Sequence, residues 1–407
     1  MVRNNGKLGM FYSSFIEGDY LMLAGNSQSK RGIYISKVSV FFMFLYNYLA
    51  ILSFSNLKEI VDLGMIVKVV IFFLMLSMIP NLLFGRYRWN LLGMILGFVG
   101  VMISQYDGVT NYATIIVVTM GLANSDIKPY VKALMYSLVL GFFTVLALRF
   151  IGIIPDRMAI SPRGVTRYSL GFGSARGISE YYLTYCQLFV YLNFERIKKS
   201  SLLLLLIPII PINMLVDSRA TTVLCFLFII LVYIIKEKNN IGVRLTNILY
   251  TFTISAYSFS YIIIYLGSKN FNPESVVWIK LNEVVSGRFL FGKWYLNNFP
   301  IKILGQWIPI EQDLNTLLTK YNTNYLMLDS GYMTMLIEGG IIITIIMTII
   351  IIVSWRKMKK KKDNIGLLIW FIAGLNLFQT RILKANSLEV LLMAQAFELT
   401  KRERKEN

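Results

Sequence analysis

The stretch "GYMTMLIEGGIIITIIMTIIIIVSW", residues 331–355, decides the fold. It carries one charged residue, Glu338, in a run longer than the roughly 20 apolar residues that cross a bilayer as a helix. The whole 407-residue chain has the same character, with 56% apolar and 15% charged residues. Because a soluble protein of this length needs more polar surface, the sequence predicts an all-α polytopic membrane protein.

Similar apolar runs recur along the chain and predict about twelve transmembrane helices in one integral membrane domain, 1–407. The expected spans are 33–54, 60–84, 89–105, 110–125, 132–154, 178–195, 201–217, 220–236, 246–267, 331–355, 364–379 and 385–398.

The basic residues indicate how these spans are oriented. The densest runs follow every second span, at 85–88, 195–199, 236–240, 355–363 and 401–405. Short cytoplasmic loops collect Lys and Arg, so both termini are expected in the cytoplasm. This placement explains the net charge of +19 without nucleic acid as a partner.

The residue types present exclude some chemistry. The chain has no histidine, which removes the commonest general base and the commonest metal ligand. Its two cysteines, Cys186 and Cys225, lie inside apolar runs and are expected to be packing residues. The outer segments hold no acidic cluster suited to a metal, so we expect chemistry that needs neither metal nor cofactor.

The expected topology leaves two sizeable segments on the outer face, a basic loop at 155–179 and a large loop at 268–330 between spans nine and ten. The first segment contains Arg163, Arg167 and Arg176, and Arg219 falls in the outer turn between spans seven and eight. Arginine there opposes the positive-inside bias, and its planar donors match phosphate oxygens. The arginines therefore indicate a diphosphate on an outer-leaflet substrate, and loop salt bridges with lipid headgroup contacts are the alternative.

The large loop interleaves basic and aromatic residues in "GRFLFGKWYLNNF", 287–299, where Arg288 precedes Trp294 and Tyr295. Aromatic faces stack on sugar rings, and Tyr332 at the loop exit is a further candidate for sugar contact. The alternative is an amphipathic helix lying on the bilayer. Asp329 at the exit is the candidate base for a sugar hydroxyl, and an N-cap of the next helix is its alternative role.

Charges inside spans are costly and usually face the interior of the bundle. Glu338 and Glu389 lie in or near expected spans, and Lys68 lies within the second. Structural ion pairs are expected for Lys68 and Glu338, with a proton pathway as the alternative. Gly339 and Gly340 follow Glu338 and permit a close approach of another helix.

Four segments, in order, resemble the Wzy-type polymerases of the O-antigen polymerase and ligase superfamily. They are "RYSLGFGSARG" (167–177), "DSRATTVL" (217–224), "SGRFLFGKWYLNNFPIKILGQW" (286–307) and "LDSGYMTMLIEGG" (328–340). Two features depart from that family. Gly173-Ser174-Ala175 replaces the usual His-Pro-Asn, and no loop histidine precedes the exit helix, which favours a polymerase over a ligase.

The resemblance implies an all-helical membrane glycosyltransferase of the GT-C type in the bacterial cytoplasmic membrane. Its expected reaction joins undecaprenyl-diphosphate-linked oligosaccharide units into O-antigen or capsule at the outer face, with Arg167, Arg219 and Arg288 on the diphosphates. Expected partners are those lipid-linked units, membrane lipids, and a chain-length regulator and flippase of the same pathway. A glycan ligase and a flippase or transporter remain the alternative functions.

Overall fold

A computed structural model describes residues 27–83, 107–123, 125–160, 165–237, 240–285, 287–306, 308, 328, 330–378, 380 and 387–394. Helices dominate the described residues. In chain order they are α1 Ser27–Ser53, α2 Gly64–Leu83, α3 Asp107–Gly121, α4 Lys128–Phe150, α5 Ala175–Asn193, α6 Lys199–Leu204, α7 Ile209–Val216, α8 Arg219–Lys236, α9 Asn240–Asn270, α10 Val276–Val284, α11 Arg288–Asn298, α12 Gly331–Thr334, α13 Gly340–Lys361, α14 Asn364–Leu377 and α15 Leu388–Met393.

Five of the described helical stretches are long and apolar enough to cross a membrane. They are Lys128–Phe150, Lys199–Val216, Arg219–Lys236, Asn247–Asn270 and Gly331–Lys361, at the positions of five expected spans. Three shorter apolar helices, Lys37–Ser53, Gly64–Ile79 and Asn364–Leu377, coincide with three more. The expected span 89–105 lies outside the described residues, and the count of twelve stays a prediction.

The surface of α13 is that of a membrane-embedded helix. Its exposed face carries isoleucines at helical spacing, with Ile345 52% and Ile349 55% exposed. Exposure of so large an apolar stripe to water would be unfavourable, whereas its contact with lipid is favourable. The many β-branched residues of α13 do not prevent a helix in a membrane, because the backbone there must satisfy its own hydrogen bonds.

The helix over 331–361 is interrupted. After α12, residues Met335–Gly339 form a π-helical turn, and Gly340 takes φ 78° and ψ 179° before α13 begins. A neighbouring segment fills the break: Gln306 N–H donates to Glu338 O, while the N–H groups of Ile341 and Ile342 donate to loop carbonyls at 302 and 303. The backbone groups freed by the break therefore find partners in the large loop.

The basic loop contains the two strands found among the described residues, β1 Met158–Ile160 and β2 Thr166–Tyr168, paired antiparallel with Ala159 opposite Arg167. The chain then crosses to the end of α1, where Gly173 N–H donates to Phe54 O at 2.9 Å. We call the end of the bundle that carries this hairpin the basic-loop end.

The opposite end of the bundle collects the predicted cytoplasmic charges. Lys199 Nζ, at the start of α6, lies 3.1 Å from a Glu237 carboxylate oxygen after α8. Lys236 Nζ donates to Phe194 O at the end of α5. Lys199 and Lys236, which belong to two of the expected cytoplasmic basic runs, therefore lie at the same end.

Cys186 and Cys225 are unpaired and buried within the bundle, at 0% and 2% exposure. The prediction that they are packing residues is confirmed.

Candidate functional site

Arg167 and Arg219 meet at one carboxylate, that of Asp217. Arg167 Nη2 lies 3.1 Å from Asp217 O and 3.4 Å from Asp217 Oδ2, and Arg219 Nε lies 3.8 Å from Asp217 Oδ1. Two arginines from segments far apart in sequence thus flank one acidic residue at the basic-loop end.

Local structure positions each member of this arginine pair. Arg167 projects from β2, which the register with β1 fixes. Asp217 ends α7 in the left-handed region, at φ 44° and ψ 48°, and its N–H donates to Asn213 O. Arg219 then opens α8 and keeps 71% of its side chain exposed. Asp217 therefore offsets part of the positive charge, while Arg219 still faces outward.

Arg176 has a different environment from the arginine pair. It lies in the first turn of α5, and its Nε approaches Glu180 Oε1 at 2.8 Å, one turn along the same helix. Glu180 also lines a cavity inside the bundle. Arg176 thus lies at the edge of that cavity.

A polar cavity of about 120 Å³ opens between α1, α4, α5, α14 and α15. We call it the polar cavity. Its polar lining includes Asn47, Glu180, Thr184, Gln187, Asn376 and Glu389. Phe54, at the basic-loop end of α1, lines it as well, so the cavity starts near the hairpin that carries Arg167.

The sequence contained a signal for this cavity that was missed. Glu180, Thr184 and Gln187 recur at helical spacing on α5, so they share one face of an otherwise apolar helix. Such a stripe in a membrane helix points to a polar interior. Glu389 was identified as a buried charge, but its role in a cavity depended on the approach of four other helices.

Arg288 is held by its own loop. It is the first residue of α11, after Gly287 at φ 84°, and its Nη1 donates to Val285 O at 2.6 Å. The described contacts that join Arg167 to Arg219 involve Asp217 and do not include Arg288. A common diphosphate site for all three arginines stays a prediction.

The helix α11 packs across the end of α9. The Phe289 ring lies where a side chain on Gly267 would project, and Lys293 Nζ donates to Phe271 O at 2.8 Å. Phe289 also meets Trp278 of α10 edge to face, with 6.0 Å between ring centroids. The described residues 276–298 of the large loop therefore form two short helices, and α11 is fastened to α9.

The three aromatic residues predicted to contact sugar differ in exposure. Tyr295 is 2% exposed and packs against Trp294 and Phe299, whereas Trp294 is half-buried. Tyr332 is 2% exposed and donates from its hydroxyl to Gly374 O at 2.7 Å. Sugar contact stays a prediction for all three, and the described contacts of Tyr295 and Tyr332 are those of packing residues.

Two predicted site residues, Arg163 and Asp329, lie outside the described residues. Ser330, next to Asp329, occupies the N-cap position of α12, is 2% exposed, and its side chain makes no capping hydrogen bond. Glu338 is 4% exposed inside the helix break, and Gly340 behind it admits the backbone of Gly305. A close approach is therefore present at this glycine, but a non-helical loop segment makes it and not the expected helix.

The described residues define a mostly helical protein with five helical stretches long and apolar enough to cross a membrane. The chain matches no known protein family, no curated protein sequence and no solved structure at a significant level.

Proposed function

We propose that this chain is a membrane glycosyltransferase of the bacterial cytoplasmic membrane that polymerises lipid-linked oligosaccharide repeat units at the outer face. The observation that carries the proposal is the meeting of Arg167 and Arg219 around Asp217, at the end of the bundle where the polar cavity begins. Diphosphate recognition and sugar recognition would then lie side by side.

The arginine pair suits a diphosphate leaving group. Guanidinium groups present preorganised donors that stabilise negative charge as it develops. Arg219 is exposed, and Arg167 Nε is buried without a hydrogen-bond partner in the described part of the chain. A buried donor of this kind needs an acceptor, and a phosphate oxygen reached by a small shift of the loop would supply one.

The proposed step exchanges one glycosidic bond for another. A hydroxyl oxygen at the non-reducing end of a new lipid-linked unit attacks the anomeric carbon of the growing glycan. The bond from that carbon to the diphosphate oxygen breaks, and its electron pair leaves with undecaprenyl diphosphate. The hydroxyl proton passes to a base, for which Asp329 is the candidate in a chain without histidine.

The large loop is proposed as the cover of this site. Its helices α10 and α11 and the segment 302–306 are fastened to α9 and to the helix break at Gly340. Arg288 at the start of α11 would approach the second diphosphate, and Trp294 would border the sugar.

A transporter of the lipid-linked unit is the second candidate, because one observation favours it. The helix over 331–361 is broken at Gly339–Gly340, and broken membrane helices are frequent at transporter binding sites. The large loop favours the polymerase, since it fills this break with its own backbone.

Deleting the gene and separating the extracted surface polysaccharide by gel tests the proposal. A polymerase predicts that the ladder collapses to single capped repeat units and returns on complementation. An unchanged ladder would refute the polymerase. The lipid-linked intermediate then separates the alternatives: single units trapped inside indicate a transporter, and long lipid-linked chains indicate a ligase.

A further inference from the structure

The polar cavity reaches deep into the bundle. Gln187, which lines it, lies twelve residues after Ala175, where α5 begins. At 1.5 Å per residue this is about 18 Å along the helix, near the middle of a bilayer core of about 30 Å. Polar groups at that depth are costly and are typical of functional sites.

The lining of the cavity selects against anions. Glu180 and Glu389 both contribute carboxylates, and no Lys or Arg lines the cavity among the described residues. Glu180 is paired with Arg176 at the rim, at 2.8 Å, whereas Glu389 has no ion pair with a described Lys or Arg. A phosphate would be repelled here, so the cavity differs in chemistry from the arginine pair.

Gln187 gives independent evidence for a ligand. It is 3% exposed and lines the cavity, and none of the described hydrogen bonds includes its side-chain amide. The side-chain amide of Asn47, in the same cavity, donates hydrogen bonds to Leu134 O and to the Ser137 hydroxyl. Buried amides nearly always have partners, so the Gln187 amide indicates that the cavity is completed by a molecule with both donors and acceptors.

We propose that the polar cavity binds one uncharged sugar ring, which donates hydroxyl hydrogen bonds to Glu389 and exchanges hydrogen bonds with the Gln187 amide. A cavity of about 120 Å³ is smaller than ordinary ligand pockets of about 300–1,000 Å³, which argues against an oligosaccharide as its occupant. The rings of Phe54 and Tyr181 supply apolar faces beside the polar groups. As a subsite for the lipid-linked glycan, the assignment rests on the proposed function.

The test is saturation-transfer NMR on the purified full-length protein in lipid nanodiscs. The probes are the methyl glycosides of glucose, galactose, mannose and N-acetylglucosamine, with methyl glucuronide as the charged counterpart. At least one neutral glycoside should show transfer, and the glucuronide should show none. Transfer to the glucuronide alone, or to no glycoside, overturns the assignment.

Gln187→Leu is the informative variant because removing an unpartnered amide leaves the fold intact. It should weaken binding of the neutral glycoside about five- to tenfold, the worth of one hydrogen bond. Asn193→Leu is the matched control: it lies on the same helix, bonded to Phe189 O and away from the cavity, and should bind normally. Equal binding by Gln187→Leu and the wild type overturns the proposal.

The same variant separates this inference from the proposed function. If gene deletion leaves the polysaccharide ladder unchanged, the polymerase fails, yet glycoside binding lost only in Gln187→Leu still establishes a sugar site. If deletion collapses the ladder while no glycoside binds, the polymerase stands and the cavity assignment falls.

Discussion

Gly305 and Gly340 meet backbone to backbone at the break in the helix over 331–361. A Cβ built on Gly340 would meet the backbone of Gly305, and one built on Gly305 would meet the carbonyl of Glu338. Both glycines have positive φ, at 79° and 78°. This contact joins the large loop to the interrupted helix and keeps the proposed cover of the site in place.

Gly340→Ala should therefore destabilise the protein. With φ 78° and ψ 179°, Gly340 occupies a region that is essentially restricted to glycine and costs another residue about 1–3 kcal/mol. The collision with Gly305 adds to that cost. A thermal unfolding curve of the purified protein should show a clearly lower Tm.

Gly152→Ala is the matched control for Gly340→Ala. Gly152 also has positive φ, at 85°, but a Cβ there meets nothing within 4 Å. Gly152→Ala should therefore cost only the strain of a positive φ in a residue with a side chain, about 1–2 kcal/mol of stability. Equal losses of Tm in the two variants would show that the contact with Gly305 contributes nothing.

Arg219→Ala should abolish polymer formation without changing stability. The Arg219 side chain is 71% exposed and its pair with Asp217 is loose at 3.8 Å, so the fold gains little from it. Loss of a donor to a developing diphosphate charge should lower the rate on the order of a hundredfold or more. Polysaccharide length in complemented cells and the Tm of the purified variant are the two measurements.

Arg157→Ala controls for a general loss of positive charge at the same end. Arg157 lies in the basic loop, pairs with Glu59 and keeps 52% of its side chain exposed. It should leave polymer length normal. Short polymer in both variants would indicate a nonspecific role for the arginines, such as contact with lipid headgroups.

Arg288→Ala should abolish polymer while protein level and topology stay normal. Arg288 opens α11, whose packing on α9 is carried by Phe289 at Gly267 and by Lys293 on Phe271 O, so its removal should leave that packing in place. Lys280→Ala, on exposed α10 of the same loop, is the control and should leave polymer length normal. Normal polymer length in Arg288→Ala would exclude the loop arginine from the reaction.

The helices could be predicted from the sequence because hydropathy is a local property. The expected span 331–355 agrees at its start with the helix that continues to Lys361. It differs at its end, because the helix extends beyond the expected boundary at 355 into the basic run 355–363. Cations are favourable in the last turn of a helix, so α13 continues through Lys361 and stops at Lys362, φ 57°.

The candidate site was less predictable because it depends on contacts between distant segments. Arg167 and Arg219 were found as outward arginines, but the carboxylate of Asp217 between them was not singled out. The polar cavity requires five helices to converge, and the stripe from Glu180 to Gln187 was its one local signal. The contact of Gly305 with Gly340 likewise depends on how the large loop closes on the helix break.

Asp329→Asn should reduce polymer formation far more than Ser330→Ala. Asparagine caps a helix as well as aspartate does, so a large loss in Asp329→Asn favours a role as base. Ser330 makes no capping hydrogen bond through its side chain, so its replacement by alanine should be nearly neutral. Equal, mild effects on polymer length would leave a structural role for Asp329 as the sufficient explanation.

The orientation of the bundle can be tested by cysteine labelling in the otherwise native chain. Cys186 and Cys225 are buried, so a membrane-impermeant maleimide should not label the wild-type protein. Val276→Cys, on α10 with Val276 66% exposed, should be labelled in right-side-out vesicles, because the large loop is expected outside. Lys360→Cys, at the exposed end of α13, should be labelled only in inverted vesicles, since the lysine run is expected in the cytoplasm. The reverse pattern would put the arginine pair on the cytoplasmic side, where no outer-leaflet substrate reaches it, and would remove the polymerase proposal together with the topology.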